Sequence, residues 1–162
     1  MLMQKIIPFT SLEEKIKLIK QTNQNVVLVG GCFDILHLGH VRFLAACKKL
    51  GTVIVALESD QTLTQHKGHL RPIHAQSERA EVLSALESVD YVILLPYLST
   101  HAEYFELTQS VAPQIIAATE GDPLLANKQK QAKAVGAKIV VIPKIKTPST
   151  SQLIKLLKLE SV

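Results

Sequence analysis

Residues 26–40 read VVLVGGCFDILHLGH and decide most of what the sequence says about the fold. The apolar run from Val26 to Val29 ends in two glycines, which is typical of a strand that is covered on both faces. The segment 39–50 has helical spacing, finishes on lysines and is followed by Gly51, a favoured helix stop. We therefore predict the first strand of a parallel sheet, then a glycine turn, then a helix.

Strands and helices alternate along the rest of the chain. Strands are predicted at 25–30, 52–57, 91–95, 114–118 and 137–142, and helices at 11–21, 39–50, 75–86, 100–111, 124–135 and 149–158. Ser11 and Glu14 have the spacing of a capping box at the start of the first helix. The segment 58–73 is expected to be a long polar loop, and long loops in compact domains tend to be functional. This alternation predicts an α/β fold, a doubly wound five-stranded parallel sheet with helices on both faces and a ligand crevice where the winding reverses.

Length and composition limit the class of protein further. The chain has 162 residues, 47% of them hydrophobic and 20% charged, which predicts one domain over residues 1–162 and excludes intrinsic disorder. Its apolar runs are far shorter than the ~20 residues of a membrane span, and no secretory signal is readable, so we expect a cytoplasmic protein. Cys32 and Cys47 lack zinc spacing and are expected to be free thiols. The net charge of +4 is spread along a chain with only 4% aromatic residues, which does not favour a nucleic-acid partner.

The glycine turn has the properties of an anion site. Glycines allow a ligand to approach the backbone closely, and a helix that begins near Gly39 presents free N–H groups and the positive end of its dipole. His37 and His40 are spaced so that both rings can face the same side of the helix start and donate hydrogen bonds to phosphate oxygens. A metal site is the alternative, but Asp34 is the only third ligand nearby, which is weak support for zinc. A single histidine is more often an ordinary structural residue, so the phosphate interpretation depends on the pair.

These residues carry a resemblance to a known superfamily. HLGH matches the HxGH signature of nucleotidyltransferases, which transfer a nucleotidyl group and release pyrophosphate. The segments that match the cytidylyltransferase-like family are GGCFDILHLGHVRFL (30–44), KGHLRPI (67–73), SERAEVLSALESVDYVI (77–93), GD (121–122) and PSTSQLI (148–154). They follow the order seen in that family over nearly the whole chain. Within that family the chain most resembles the adenylyltransferase domain of ADP-heptose synthase, then glycerol-3-phosphate cytidylyltransferase. The resemblance implies a Rossmann-like nucleotidyltransferase fold.

The resemblance also implies roles for particular residues. The implied catalytic residues are His37, His40 and Lys67, with the lysine reaching over the phosphates from its loop. The implied nucleotide-binding residues are Gly31, Cys32, Phe33, Gly39, Arg79, Gly121, Asp122, Ser149, Thr150 and Ser151, and the implied substrate-binding residues are Asp34 and Lys144. Several also have structural interpretations: Asp34 can cap a turn, Lys67 can be a solvated loop charge, and the serine and threonine cluster can simply cap the last helix.

The implied reaction uses Mg²⁺ with ATP or CTP, a phosphorylated sugar or polyol as acceptor, and no membrane partner. A homodimer is expected from the resemblance. The departures from the heptose branch are Thr119, Glu120, Lys144 and Thr147, and they leave the acceptor and the base open. A glycerol-3-phosphate cytidylyltransferase-like enzyme, a non-catalytic nucleotide-binding module and, ranked lower, an adenylyltransferase for a coenzyme precursor are therefore alternatives to a heptose 1-phosphate adenylyltransferase.

Overall fold

The computed structural model describes residues 2–21 and 25–156 of the chain. Its strands are β1 (Ile6–Pro8), β2 (Val26–Gly31), β3 (Thr52–Leu57), β4 (Tyr91–Leu94), β5 (Ile115–Thr119) and β6 (Lys138–Ile142). Its α-helices are α1 (Leu12–Lys20), α2 (Leu38–Lys48), α3 (Asp60–Lys67), α4 (Gln76–Ser84), α5 (His101–Val111), α6 (Leu125–Val135) and α7 (Thr150–Leu156). Short 3₁₀ turns at Leu2–Lys5 and Phe9–Ser11 flank β1.

The strands form one parallel sheet in the order β1-β4-β3-β2-β5-β6. The chain winds outward from β2 in both directions, so the predicted α/β fold with a doubly wound parallel sheet is confirmed. The winding reverses between β2 and β5, which are neighbours in the sheet. A crevice at the carboxyl ends of these strands is the ordinary ligand position in such folds.

The predicted strand number of five was wrong, because the sheet has six strands. The extra strand, β1, is only three residues long and pairs with β4 at the edge of the sheet. It contains Pro8, which has no N–H to give to a ladder and is tolerated at a sheet edge. A run this short shows no period of its own, so the pattern of apolar residues did not reveal it.

Two apolar layers pack against the two faces of the sheet. On one face, α1 and α5 contribute Ile16, Ile19, Leu107 and Val111. On the other face, α2 and α4 contribute Leu44, Cys47, Ala80 and Leu83. Every residue of β3 is buried, as a strand with helices on both faces requires. Both cysteines are free thiols, as predicted.

The segment predicted as a loop over 58–73 contains the helix α3. Its start is fixed by Ser59, whose hydroxyl oxygen accepts a hydrogen bond from the Thr62 N–H at 3.2 Å. Its end is fixed by Gly68, which has φ of +93°. Only Thr62 and Leu63 of this helix are buried. The helix was missed because it presents almost no apolar face, while its caps are the stronger signal.

Most other boundaries differ from prediction by one or two residues, and one detail needs correction. Ser11 is the N-cap residue of α1, but the predicted capping box was wrong, because the Ser11 hydroxyl donates to the Pro8 carbonyl at 3.1 Å and makes no cap hydrogen bond. The predicted last helix ran to residue 158, and its final two residues lie outside the described residues. Within residues 2–21 and 25–156, no helix is both long and apolar enough to cross a membrane.

Candidate functional site: a phosphate turn and cavity between β2 and α2

Residues 31–40, called the phosphate turn after their predicted ligand, join β2 to α2 and place two histidine rings at the carboxyl edge of the sheet. His37 is the N-cap of α2, and its Nδ1 accepts a hydrogen bond from the Gly39 N–H at 3.1 Å. Because Nδ1 acts as the acceptor, the neutral ring carries its proton on Nε2. The His37 and His40 rings stack with centroids 3.8 Å apart, and the Phe33 ring lies 5.0 Å from His40. The pair therefore forms one rigid group at a helix N-terminus.

Glycine is required at two positions of this turn for steric reasons. A Cβ on Gly39 would lie 2.8 Å from the His37 Cε1 and 3.2 Å from the Thr147 Cγ2. A Cβ on Gly31 would lie 2.8 Å from the Phe33 ring. Both glycines let the aromatic rings close over the backbone. Phe33 itself has φ of +44°, an uncommon conformation for a residue with a side chain.

Both imidazoles are held in the neutral form. Burial lowers the pKa of His37. Burial, followed by the charges of His37 and Lys67, lowers the pKa of His40 to about 4, and the Ile35 backbone opposes this in part. The His40 Nδ1 is buried and makes no hydrogen bond of normal geometry to any residue that the structure describes. At neutral pH the two rings thus act as N–H donors and not as cations, until an anion raises their pKa values.

A cavity of about 390 Å³ opens beside this turn. Its wall comes from the ends of β2, β5 and β6 and from the first turn of α2, the arrangement expected at the point where the winding reverses. The predicted site residues that line it are Gly31, Cys32, Phe33, His37, Gly39, His40, Asp122, Lys144 and Ser149. The structure thus brings the turn, the segment after β5 and the segment after β6 together around one space.

Other predicted residues lie outside this lining. They are Asp34, Lys67, Arg79, Gly121, Thr150 and Ser151. Lys67 is exposed at the end of α3, and its positive charge acts to lower the pKa values of both His40 and Cys32. Burial outweighs that charge at Cys32 and raises the pKa of its thiol, so the thiol is protonated at neutral pH.

Asp34 is committed to holding the turn. It is 3% exposed and pairs with the buried Arg71, whose Nε lies 2.5 Å from the Asp34 Oδ2. The other carboxylate oxygen accepts the backbone N–H groups of Ile73 and His74 at 2.8 and 3.4 Å. The Arg71 guanidinium holds the pKa of Asp34 below its usual range against the opposing effect of burial, the largest single influence. This contact set agrees with the turn-capping interpretation of Asp34, and its substrate-binding role stays a prediction.

Arg79 is also used within the protein. It is 2% exposed and donates to the carbonyls of Cys32, Glu58 and His74 and to the Asp60 carboxylate. The carbonyls of Cys32 and Glu58 follow directly on β2 and β3. Arg79 therefore ties the carboxyl ends of these strands together and acts on the site through the backbone.

The start of α7 closes the cavity. The Ser149 oxygen accepts from the Gln152 N–H at 3.4 Å, and the Gln152 side chain accepts from the Ser149 N–H at 2.7 Å. The Thr150 hydroxyl donates to the Ile35 carbonyl at 2.8 Å, which docks the helix on the phosphate turn. Ser151 is exposed. The cluster thus caps the helix and also places Ser149 on the cavity wall.

Sequence reasoning missed several lining residues, notably Arg42, Phe43 and Lys128. The Lys128 ammonium lies 2.6 Å from the Asp122 Oδ2, and the Asp122 Oδ1 accepts the Leu124 N–H at 2.8 Å. Asp122 thereby fixes a cation on the cavity wall. Lys128 is one of several lysines on α6, so nothing in the sequence distinguishes it from the others. Arg42 could have been predicted as a lining residue, because it follows His40 by only two residues.

Of the residues that differ from the heptose branch, some line the cavity and one does not. Thr119 and Thr147 line it. Glu120 does not, and its carboxylate instead accepts the Lys144 N–H at 3.2 Å. No group of three or more His, Cys, Asp or Glu side chains able to hold a metal occurs within the described part of the chain.

The doubly wound parallel sheet and the paired imidazoles at the start of α2 agree with the nucleotidyltransferase class that the HLGH motif predicted. A family model described as cytidylyltransferase-like matches residues 28–155. The chain therefore belongs to the cytidylyltransferase-like family, a family of nucleotidyltransferase enzymes, as the resemblance predicted.

Similar proteins point to one branch of that family. The chain is 38% identical over 114 residues to the bifunctional protein HldE of Wolinella succinogenes, covering 70% of this chain and 23% of that protein. It is 32% identical over 157 residues to HldE of Desulfatibacillum aliphaticivorans, covering 93% of this chain and 30% of that protein. The chain thus spans less than a third of these relatives.

Solved structures agree on the fold. A lipopolysaccharide core biosynthesis protein from Thermoplasma volcanium aligns with a TM-score of 0.61 at 28% identity, covering 76% of this chain and 98% of that one. A pantoate-beta-alanine ligase from Francisella tularensis aligns with a TM-score of 0.63 at 15% identity, covering 97% and 78%, and supports the fold alone.

Proposed function

We propose that this chain transfers an adenylyl group from ATP to a heptose 1-phosphate and releases pyrophosphate. The observation that carries the proposal is the stacked pair of His37 and His40 at the N-terminus of α2, facing a cavity beside the central strand. The HldE relatives favour the heptose branch, and the shared turn, the KGHLRPI segment and the α7 cluster support it.

The reaction needs no covalent enzyme intermediate. An anionic oxygen of the acceptor phosphate attacks the α-phosphorus of the nucleotide, an oxygen–phosphorus bond forms, and the bond to the β-phosphate oxygen breaks in line. Pyrophosphate leaves with the electron pair. The protein supplies positioning and charge stabilisation, which are the main terms in phosphoryl transfer.

The chain's own residues have separate tasks in this scheme. The outward N–H groups of His37 and His40 donate to phosphate oxygens, together with the free backbone N–H groups of α2. Lys67 and Lys144 contribute positive charge from the two sides, and Ser149 offers a hydroxyl. Mg²⁺ arrives as part of the nucleotide substrate, held mostly by phosphate oxygens and water. A homodimer and a cytoplasmic location stay predictions.

The proposal is tested by measuring pyrophosphate release. ATP and CTP are each paired with heptose 1-phosphate and with glycerol 3-phosphate. The ATP and heptose 1-phosphate pair is expected to turn over fastest. Preference for CTP and glycerol 3-phosphate would favour the second branch of the family, and no release with any pair would mean a binding module.

The role of the histidines is tested by His37→Asn. Asparagine is a good N-cap, so the variant preserves the start of α2 while it removes the imidazole ring with its outward N–H. Turnover is expected to fall about 10²–10³-fold, as for loss of one preorganised donor. His101→Asn, at the exposed first residue of α5, is the matched control and should keep full activity. Equal activity of both variants would contradict the assignment.

A further inference from the structure

The Glu58 side chain lies beside the candidate site and takes no part in the proposed reaction. Strand register pairs Gly31 with Leu57, so the next residues, Cys32 and Glu58, leave neighbouring strands side by side. The Glu58 N–H donates to the Gly31 carbonyl at 3.1 Å. Adjacent strands are about 4.8 Å apart, so Glu58 is one strand away from a cavity-lining residue.

The Glu58 carboxylate is held by a tyrosine hydrogen bond and not by an ion pair with any described residue. Its Oε2 accepts the Tyr104 hydroxyl at 2.9 Å. Among the ion pairs found within the described residues, none involves Glu58. Burial raises the pKa of Glu58, and hydrogen bonds from Tyr104 and Thr62 oppose the rise, followed by the charges of His66 and Arg79. Burial also raises the pKa of Tyr104, so its hydroxyl stays a donor.

The fold does not explain this arrangement. Tyr104 packs its ring against the apolar layer of α1 and α5, which a phenylalanine could do equally well. A half-buried carboxylate without a cation is unfavourable unless its oxygens are hydrogen-bonded. A carboxylate has about four lone-pair sites, and the hydrogen bonds from Tyr104 and Thr62 use two of them. Glu58 therefore keeps capacity to accept hydrogen bonds at the edge of the site.

We propose that Glu58, oriented by Tyr104, accepts hydrogen bonds from the sugar hydroxyls of the acceptor and so determines acceptor specificity. This inference rests on the proposed function. The acceptor phosphate has to reach the nucleotide at the phosphate turn, beside Cys32. The rest of the acceptor then extends along the carboxyl edge toward β3, where a carboxylate favours neutral hydroxyl groups and disfavours a second anionic group.

The test compares Glu58→Gln with the wild-type chain. Glutamine keeps the shape and can still accept from Tyr104, but it lacks the charge that strengthens hydrogen bonds to hydroxyls. Titration calorimetry with heptose 1-phosphate, in the presence of a non-hydrolysable ATP analogue, is expected to show about tenfold weaker acceptor binding. Binding of the ATP analogue should be unchanged. In steady-state assays the KM for heptose 1-phosphate should rise by a similar factor.

Two further variants separate specificity from structure. Tyr104→Phe keeps the carboxylate but frees it to reorient, so acceptor binding should weaken in the same direction by a smaller factor. Glu106→Gln, at an exposed position on the same helix α5, is the matched control and should bind both ligands normally.

The outcomes distinguish the two proposals. If the wild-type chain releases pyrophosphate and both variants bind heptose 1-phosphate as tightly as it does, the specificity role of Glu58 is wrong and the proposed function stands. If the variants weaken the ATP analogue and the acceptor equally, Glu58 is a structural residue, and the inference is overturned. If the wild-type chain binds heptose 1-phosphate without turnover under any condition, the proposed function fails.

Discussion

Gly39→Ala is the substitution whose effect follows most directly from the geometry of the phosphate turn. The new Cβ would lie 2.8 Å from the His37 Cε1 and 2.9 Å from its Nδ1. Carbon atoms pack at about 3.5 Å or more, so the ring has to withdraw by about 0.7 Å. That movement breaks the 3.1 Å cap hydrogen bond and takes His37 off the ring of His40.

The expected effect on stability is small because two contributions oppose each other. Loss of the N-cap interaction costs about 1 kcal/mol. Alanine in place of glycine within a helix returns up to about 1 kcal/mol. The free energy of unfolding should therefore change by less than about 1 kcal/mol.

The expected effect on activity is large, because a displacement near 1 Å of a positioned group can lower turnover about 10²-fold. The kcat for pyrophosphate release is measured with ATP and heptose 1-phosphate, and stability is measured by urea unfolding. Val41→Ala, exposed on the same helix, is the control and should leave both quantities nearly unchanged.

Two results would refute this reasoning. One is a Gly39→Ala variant that keeps more than a third of the wild-type kcat, because the stacked position of His37 would then be unimportant. The other is a loss of stability of about 3 kcal/mol or more, because the loss of turnover would then reflect unfolding and not the histidine.

Three further substitutions test the site and the fold that carries it. The pKa of His40 is lowered to about 4 in the folded chain, so the neutral ring stabilises the fold above pH 6.5, and this stability is lost as pH falls toward 4. Urea unfolding at pH 7 and pH 4.5 measures how much free energy of unfolding is lost on acidification. This loss should be about 2–3 kcal/mol smaller in His40→Gln than in the wild-type chain, and equal losses would contradict the lowered pKa of His40. Arg71→Met leaves the buried Asp34 carboxylate unpaired and should lower the free energy of unfolding by about 3–5 kcal/mol. The double variant with Asp34→Leu should recover much of this loss. If the effects of the two substitutions simply add, the two residues do not interact as a pair. Gly51→Ala would place a Cβ 2.1 Å from the Asn25 carbonyl oxygen and should destabilise the fold by about 1–3 kcal/mol, and wild-type stability would show that this clash is relieved at no cost.

The long elements could be predicted from sequence because burial imposes a pattern on them. Strand β3 is buried throughout and its apolar run is unbroken, so its type and position were evident. Strand β1 and helix α3 could not be found in this way. β1 is held by pairing with β4, a contact distant in sequence, and α3 is set by its caps at Ser59 and Gly68.

The same distinction between local pattern and distant contact applies to the residues of the candidate site. The turn from Gly31 to His40 is local, so a motif could indicate it. Lys128 lies at the cavity with its ammonium held by Asp122. The Glu58 carboxylate is likewise held by the Tyr104 hydroxyl. These pairings depend on how α5 and α6 pack on the sheet, which no local pattern of residues encodes.

The phosphate turn also depends on residues that never touch the cavity. Phe33 has an uncommon positive φ, and such a conformation persists only where the surroundings impose it. Arg79 holds the Cys32 carbonyl on one side of Phe33, the buried Asp34 anchors the other side, and Thr150 holds the Ile35 carbonyl. Asp34, Arg79 and Thr150 match functional positions of the family, and each of them also holds the backbone of the turn in place. A residue that a motif marks can therefore serve a site by shaping the backbone around it.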